Sequence, residues 1–382
     1  MRVEQRHWSA DGGWRTLRAD PAAADAQLVL LFGEAQRLGD ERMLAAVRER
    51  HPRAVLSGCS TAGEIHDVSV TDDGLVTNAI RFDDGGCRLG RVSLAEHPSH
   101  RAAAEALAAQ LPAEGLVHVL VFSEGLSVNG SELAAGLDRS LPEGVTVTGG
   151  LAGDGSRFGR TVTVADGVAR SGEAVAVGLY GPRLRVGYGS RGGWDPFGPE
   201  RVITRAEGSV LYELDGRPAL DLYEEYLGEH AAGLPATGLL FPLMVRVPGS
   251  AAEGVVRTLV AIDEAARSVT FVGEMAQGHH ARLMKANFDR LIDGAHGAAD
   301  QALAGLRCPG AELALLVSCV GRRLVLRQRT EEELEAVREV LGPAPVLTGF
   351  YSYGEICPPS LDADCELHNQ TMTVTTLGES DA

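Results

Sequence analysis

Aromatic residues are scarce in this chain, at 5% of 382 residues, and six cysteines at this length do not make a disulfide-stapled scaffold. No apolar run approaches the roughly 18 residues that a helix needs to span a bilayer. The stretch from Met1 to Arg18 is polar and charged and carries no signal-peptide pattern. Cationic side chains are outnumbered, 35 Lys and Arg against 52 Asp and Glu, for a formal charge of −17. Such a surface repels nucleic acid and anionic membranes, so neither nucleic-acid binding nor membrane insertion is expected. No Ser-His-Asp pattern or nucleophile elbow is present. The Gly-x-x-x-x-Gly runs lack the Lys-Ser/Thr pair of a phosphate-binding loop. These absences imply a cytoplasmic, reducing environment and rank an enzyme acting on a small metabolite below a binding protein.

What is present begins with a recurring motif. Val346 to Ile356 reads as a short apolar run, a glycine, four small or aromatic residues, a second glycine and a glutamate. Val55 to Ile65 repeats it, and Val147 to Asp154 is a looser echo, one residue shorter. Each copy follows a strand-like run and a helix-like run: Leu28–Phe32 and Gly39–Glu49, Val117–Phe122 and Ser131–Ser140, Leu313–Cys319 and Thr330–Leu341. The expected unit is strand, helix, strand, then a sharp glycine turn at the strand's end.

The rest of the chain adds antiparallel strands. Gly74–Phe82 and Arg88–Leu94 suggest a hairpin across Asp83-Asp84-Gly85-Gly86. Thr161–Val164 and Ala174–Gly178 suggest a second strand pair with Asp166-Gly167 at a turn. Gly187–Gly198 has no period and reads as a linker or a loop crossing between halves. The expected fold is α/β (mixed α+β). Two domains are built from repeated strand-helix-strand units with added antiparallel strands: 1–190 and 191–382, with the boundary somewhere in 181–225.

Gly349-Phe350-Tyr351-Ser352-Tyr353-Gly354-Glu355-Ile356, followed by Leu367-His368-Asn369-Gln370-Thr371, resembles the C-terminal signature of FIST sensory proteins. Gly58-Cys59-Ser60-Thr61-Ala62-Gly63-Glu64 resembles the signature of the N-terminal FIST domain, and Gly149–Asp154 looks like that domain's later glycine motif. The resemblance covers roughly residues 27 to 378. It implies a bacterial signal-transduction input domain that binds a small molecule such as an amino acid. With no room for an output module, the chain would stand alone and signal through a separate partner, a histidine kinase, a chemotaxis protein or a cyclic-dinucleotide protein. One branch of the family is described as a haem-binding nitric oxide sensor.

In open α/β sheets, ligands bind beyond the carboxyl ends of strands. The candidate ligand-binding residues are therefore Gly58, Cys59, Ser60 and Glu64 from the first copy, and Gly150 and Asp154 from the second. Cys319, Arg322, Tyr351, Tyr353, Glu355 and Asn369 come from the third. Glu64 and Glu355 would accept hydrogen bonds from an ammonium group, Arg322 would clamp a carboxylate bidentately, and the tyrosines would supply flat walls with polar tips. The competing readings are structural: a glutamate satisfying backbone donors, a core Tyr353, an Arg322–Glu355 bridge. Cys357, Cys365 and His368 lack compact metal-ligand spacing, so no metal site is expected. Haem would need an axial ligand, and none of His230, His279, His280 and His368 lies in a recognisable haem motif.

Overall fold

The computed structural model describes residues 1–249, 254–308, 310–360 and 363–380. Its centre is three mixed sheets built to one plan. In each, two parallel strands are joined by a helical connection. The pairs are Leu28–Gly33 with Val55–Ser60, Leu116–Ser123 with Thr146–Leu151, and Leu313–Cys319 with Val346–Ser352. The helices of these connections include Glu41–Arg50, Gly130–Ser140 and Thr330–Leu341, within a residue or two of where the apolar periodicity puts them. Asp40 and Asn129 cap the first two by accepting from the backbone N–H of Arg42 and Glu132. An antiparallel strand then covers the other side of each first strand: Leu75–Arg81, Glu173–Tyr180 and Met372–Glu379.

The glycine motif does not turn where the sequence suggests. Gly58, Gly149 and Gly349 lie inside their strands, at φ of +155°, +150° and +151°. A Cβ on each would sit 1.9, 1.9 and 1.8 Å from the carbonyl oxygen of Leu31, Val121 and Leu316, respectively. The glycine lets the two parallel strands close on each other at the same register in all three sheets.

After the motif the chain leaves its own sheet and joins another. Glu64–His66 pairs antiparallel with Val346–Ser352. Gly354–Cys357 pairs with Thr146–Leu151, and Thr163–Ala165 pairs with Val55–Ser60. First copy feeds third, third feeds second, second feeds first. Three backbone hydrogen bonds close the same cycle: Ala62 N–H to Tyr351 O at 2.8 Å, Tyr353 N–H to Leu151 O at 3.1 Å, and Gly153 N–H to Ser60 O at 2.9 Å.

The middle of the ring is filled. Phe32, Phe122 and Phe350 meet with ring centroids 5.0 to 6.1 Å apart. Each phenyl faces a smaller cross-strand neighbour: Phe32 is opposite Cys59, Phe122 opposite Gly150, Phe350 opposite Val317. One large and one small residue per sheet fills the centre without strain.

Two strand expectations are corrected. Leu75–Arg81 and Gly86–Ser93 do not form a hairpin. The first lies between Arg2–Ser9 and Leu28–Gly33, and the second pairs with Glu173–Tyr180 in another sheet. Leu75–Arg81 is buried along nearly its whole length, and an isolated hairpin would leave one face in water. The second expected pair changes partners too: Thr163–Ala165 pairs with Val168–Arg170 across Asp166-Gly167, whereas Glu173–Tyr180 lies beside Leu116–Ser123. The aperiodic 187–198 stretch is largely strand, within Leu184–Arg191 and Asp195–Glu207. Its glycines serve packing: a Cβ on Gly187 or Gly189 would strike the carbonyl of Ala302 or Ala298 in the helix Phe288–Gly305.

A fourth, eight-stranded antiparallel sheet spans Asp195 to Lys285 and packs around Leu220, Tyr223 and Phe271. It is fastened to the ring by Trp194, whose indole N–H donates to Gln370 O at 2.9 Å, and by Arg257, which donates to Leu367 O at 2.8 Å. Among the described residues no helix is long and apolar enough to cross a membrane.

Candidate functional site

The carboxyl ends of the ring strands converge on a cleft of about 650 Å³. Glu34 follows the strand Leu28–Gly33, Thr61 to Glu64 follow Val55–Ser60, Gly155 to Arg157 come after Thr146–Leu151, and Val320 and Arg323 follow Leu313–Cys319. Asp72 and Asp73 close one side, and Arg327 and Glu331 another. The lining is strongly charged, with both signs present.

Glu64 lies at the base and is 1% exposed. It accepts from Thr61 Oγ1 at 2.7 Å, and more loosely, at 3.4 Å, from Thr71 Oγ1 and Gly74 N–H. No cation pairs with it among the described residues. Burial pushes its carboxyl up to about 7, against the opposing hydrogen bond from Thr61. Glu355 repeats the arrangement in the third copy. Ser352 Oγ donates to it at 2.6 Å, and Thr371 donates through N–H at 3.2 Å and Oγ1 at 2.9 Å. Burial raises that carboxyl to about 8. Glu355 is wholly enclosed and does not line the cleft.

Arg323 lies beside Glu64's end of the cleft, with Arg157 and Arg327 also in the lining. Its Nη1 and Nη2 grip Asp72 Oδ1 and Oδ2, both at 2.7 Å, and Nη1 also donates to Ala62 O at 2.6 Å. The guanidinium lies over the Tyr351 ring, 5.5 Å from its centroid. A Cβ on Gly63 would stand 2.5 Å from Nη1, so the second glycine of the motif makes room for this arginine.

Arg322, its neighbour, points the other way. It is fully buried and donates through Nε and Nη2 to Glu333 Oε2 at 3.0 and 2.8 Å, and through Nη2 to Leu291 O at 2.7 Å. Glu333 also accepts from Ser318 Oγ and Tyr351 O–H at 2.9 and 2.7 Å. Neither an Arg322–Glu355 bridge nor an open carboxylate clamp describes this side chain. Tyr351 belongs to the same network and supports Arg323 with its ring.

The remaining expected residues sit in the walls. Gly58 and Gly150 are mid-strand, and Cys59 faces the phenyl cluster. Ser60 Oγ accepts from Val162 N–H at 3.0 Å. Cys319 is buried, and burial pushes its thiol well up. Asp154 accepts from Tyr353 O–H, and from Gly159 and Arg160 N–H, both at 2.8 Å. Burial alone would lift its carboxyl; these hydrogen bonds outweigh burial and hold it below the usual value. Tyr353 stacks on the half-exposed Phe158 at 4.6 Å. Asn369 is 1% exposed and donates to His368 O at 2.9 Å.

Of the twelve candidates, then, Glu64 alone lines the cleft. The sequence reading missed Arg323, Asp72, Asp73, Arg157, Arg327 and Glu34. The tandem Arg322-Arg323 held the signal: consecutive helical residues diverge by about 100°, so one arginine of the pair had to face away from the other. Two of the non-glycine residues with positive φ line the cleft, Asp73 (62°) and Arg327 (53°), and strained backbone of this kind gathers at binding sites.

Among the described residues lining the cleft there is no His, Cys or Tyr, so these residues do not fit a haem's axial ligand. His368 Nε2 is engaged by Cys357 O at 2.8 Å. Among the described residues no group of three or more His, Cys, Asp or Glu stands in an arrangement that holds a metal.

Comparison with known proteins places this architecture. The chain matches the FIST N domain over residues 27–217 and the FIST C domain over 219–358. An uncharacterised protein of Mycobacterium tuberculosis is 29% identical over 238 residues, a match covering 58% of this chain and 58% of that protein. One of Mycobacterium bovis is 30% identical over 235 residues, covering 56% of each. This chain thus spans a little over half the length of the relatives it matches. Among solved structures, a cyanuric acid hydrolase from A. caulinodans aligns with 77% of this chain and 99% of its own, at 11% identity and a TM-score of 0.18. The two domain matches together take in most of the sequence, and the chain belongs to the FIST family of sensory signal-transduction domains.

Proposed function

We propose that the protein senses a small carboxylate-bearing molecule, an amino acid zwitterion being the best fit, in the cleft between Glu64 and Arg323. The carrying observation is the opposition of charge within one open cleft. An arginine fork fixed over Tyr351 suits a carboxylate, and the buried, loosely engaged Glu64 Oε2 suits an ammonium. Asp73 and Glu331 add negative charge to the lining and Arg327 positive charge, while Glu34 and Arg157 pair with each other at 3.7 Å. The lining offers Thr61, Ser156 and Thr330 hydroxyls with, among the described residues, no histidine in the lining to activate them, which supports binding over catalysis. We place the protein in the cytoplasm and its output in a separate signalling protein of the histidine-kinase, chemotaxis or cyclic-dinucleotide kind, as the family's role suggests.

A thermal-shift screen of amino acids and other small carboxylates tests the reading. A true ligand at 100 times its dissociation constant stabilises the protein by about 2.7 kcal/mol. The gain should vanish in Arg323→Ala. A screen in which no carboxylate raises the melting temperature overturns the proposal.

A further inference from the structure

Resting on that reading of the cleft, we propose that Asp72 is a built-in stand-in for the ligand's carboxylate, holding Arg323 until a ligand displaces it and frees the segment around Asp72. The geometry is that of a ligand contact. Both oxygens of Asp72 meet both terminal nitrogens of Arg323 at 2.7 Å, the bidentate pairing by which arginine takes any free carboxylate. The two partners are unequally anchored. Arg323 is fixed from three sides, by Ala62 O, by the Tyr351 ring and by the space that Gly63 leaves. Its side chain is 23% exposed, whereas that of Asp72 is 57% exposed and, among the described residues, hydrogen-bonds to no side chain but Arg323. An exposed, singly held carboxylate is the replaceable half of such a pair.

The segment that Asp72 belongs to is wired into the cleft. It connects Ser69–Thr71, in the third sheet, to Leu75–Arg81, in the first. Thr71 and Gly74 donate to Glu64, and Gly74 O accepts from Glu34 N–H at 3.1 Å. Releasing Asp72 therefore loosens contacts to both of these acids in the cleft lining. Asp72, Glu64 and Tyr351 act directly on Arg323, and Asp73, Arg327 and Glu331 line the same cleft; a ligand carboxylate replaces the charge of Asp72 and leaves the balance of these groups unchanged. Occupied Arg323 also means that a ligand competes with an internal carboxylate, which lowers its apparent affinity by the fraction of molecules with the fork free.

Acetate, the bare carboxylate, is the probe, and chloride at equal ionic strength the control. In Asp72→Ala, acetate should raise the melting temperature saturably and chloride should not. Wild type should need about tenfold more acetate for the same shift. The response should be lost in Asp72→Ala/Arg323→Gln. Should the alanine variant fold poorly, Asp72→Asn, with the same shape and no charge, is read the same way. Equal acetate responses in wild type and the Asp72 variant, or a response that survives loss of Arg323, overturn the proposal. In wild type, saturating acetate should also speed hydrogen exchange over residues 69–75, and unchanged protection there overturns the release. An acetate result as expected beside a metabolite screen without a hit would count against the sensing assignment and leave the Asp72 assignment standing. The reverse outcome would remove only the role of Asp72.

Discussion

Nη2 of Arg322 lies 2.8 Å from Oε2 of Glu333, and neither side chain has any exposure to solvent. The pair joins the start of the helix Val320–Leu326 to the helix Thr330–Leu341 beneath the cleft. Removing one partner strands the other in an interior where an unpaired charge has no water. Glu333→Ala should therefore cost about 3–5 kcal/mol in urea unfolding. A loss below about 1 kcal/mol, the range of surface pairs, would show that the network is not structural.

Alanine at Gly58, Gly149 or Gly349 should be far worse than the usual glycine-to-alanine change. The new methyl would overlap a carbonyl oxygen of the neighbouring strand at under 2 Å, and the φ near +150° is itself closed to alanine. Each variant should lose native near-ultraviolet circular dichroism or fail to accumulate as soluble protein. Native melting in all three would refute the close approach.

Stability should fall as pH rises from about 6.5 to about 8, the window above the one in which the buried histidines act the other way. Glu64 and Glu355 have folded-state values near 7 and 8, raised from the usual 4.5 by burial. Between 4.5 and those values the folded protein holds protons that the unfolded chain has released. Rising pH therefore favours unfolding by about 1.4 kcal/mol per pH unit for each group, and the effect levels off above pH 8. His66, His118 and His368 act in the opposite sense on the acid side: burial lowers them to about 4, about 3 and about 4, so stability drops as pH falls below their usual 6.5, and between about 4.5 and 6.5 they offset the two carboxylates. Chemical denaturation of Glu64→Gln/Glu355→Gln across this range should show a flattened alkaline decline. An unchanged slope would mean that both carboxylates are ionised and solvated when folded.

Tyr353→Phe isolates one hydroxyl. That oxygen contacts the Asp154 carboxylate, accepts from Asp154 N–H at 3.1 Å and lies 3.0 Å from Gly155 O. Its removal leaves buried polar groups short of a partner at a cost of about 1–3 kcal/mol, with the ring stack on Phe158 intact. Guanidinium unfolding of the pair of proteins reads the difference, and equal midpoints would place the hydroxyl in solvent.

Much of the ring was legible because its signals are local. Apolar runs and helical periodicity located the three parallel pairs, and the glycine motifs marked equivalent positions in each. The glycines read as turns because sequence shows only that a residue without a side chain is needed. Whether Gly58 bends the chain or admits the Leu31 carbonyl is decided by a strand some 27 residues away. The hairpin error has the same source: Leu75–Arg81 and Gly86–Ser93 are adjacent in sequence, but longer-range partners bury more of each. In the cleft, Glu64 was legible as an acid at a strand end. Arg323 was not, since its distinction from Arg322 rests on helix phase. Asp72 and Arg157 come from connecting segments whose meeting depends on three sheets at once.

The passing of each strand into a neighbouring sheet has a consequence for dissection. The family's two regions meet near residue 218, yet a cut there would take Glu64–His66 away from Val346–Ser352 and Gly354–Cys357 away from Thr146–Leu151. Each fragment would carry a strand whose partner is on the other and a sheet with an open seam. Two such pieces, made separately, should be poorly folded apart and should recover structure when mixed, because each carries the strand that closes the other's exposed edge.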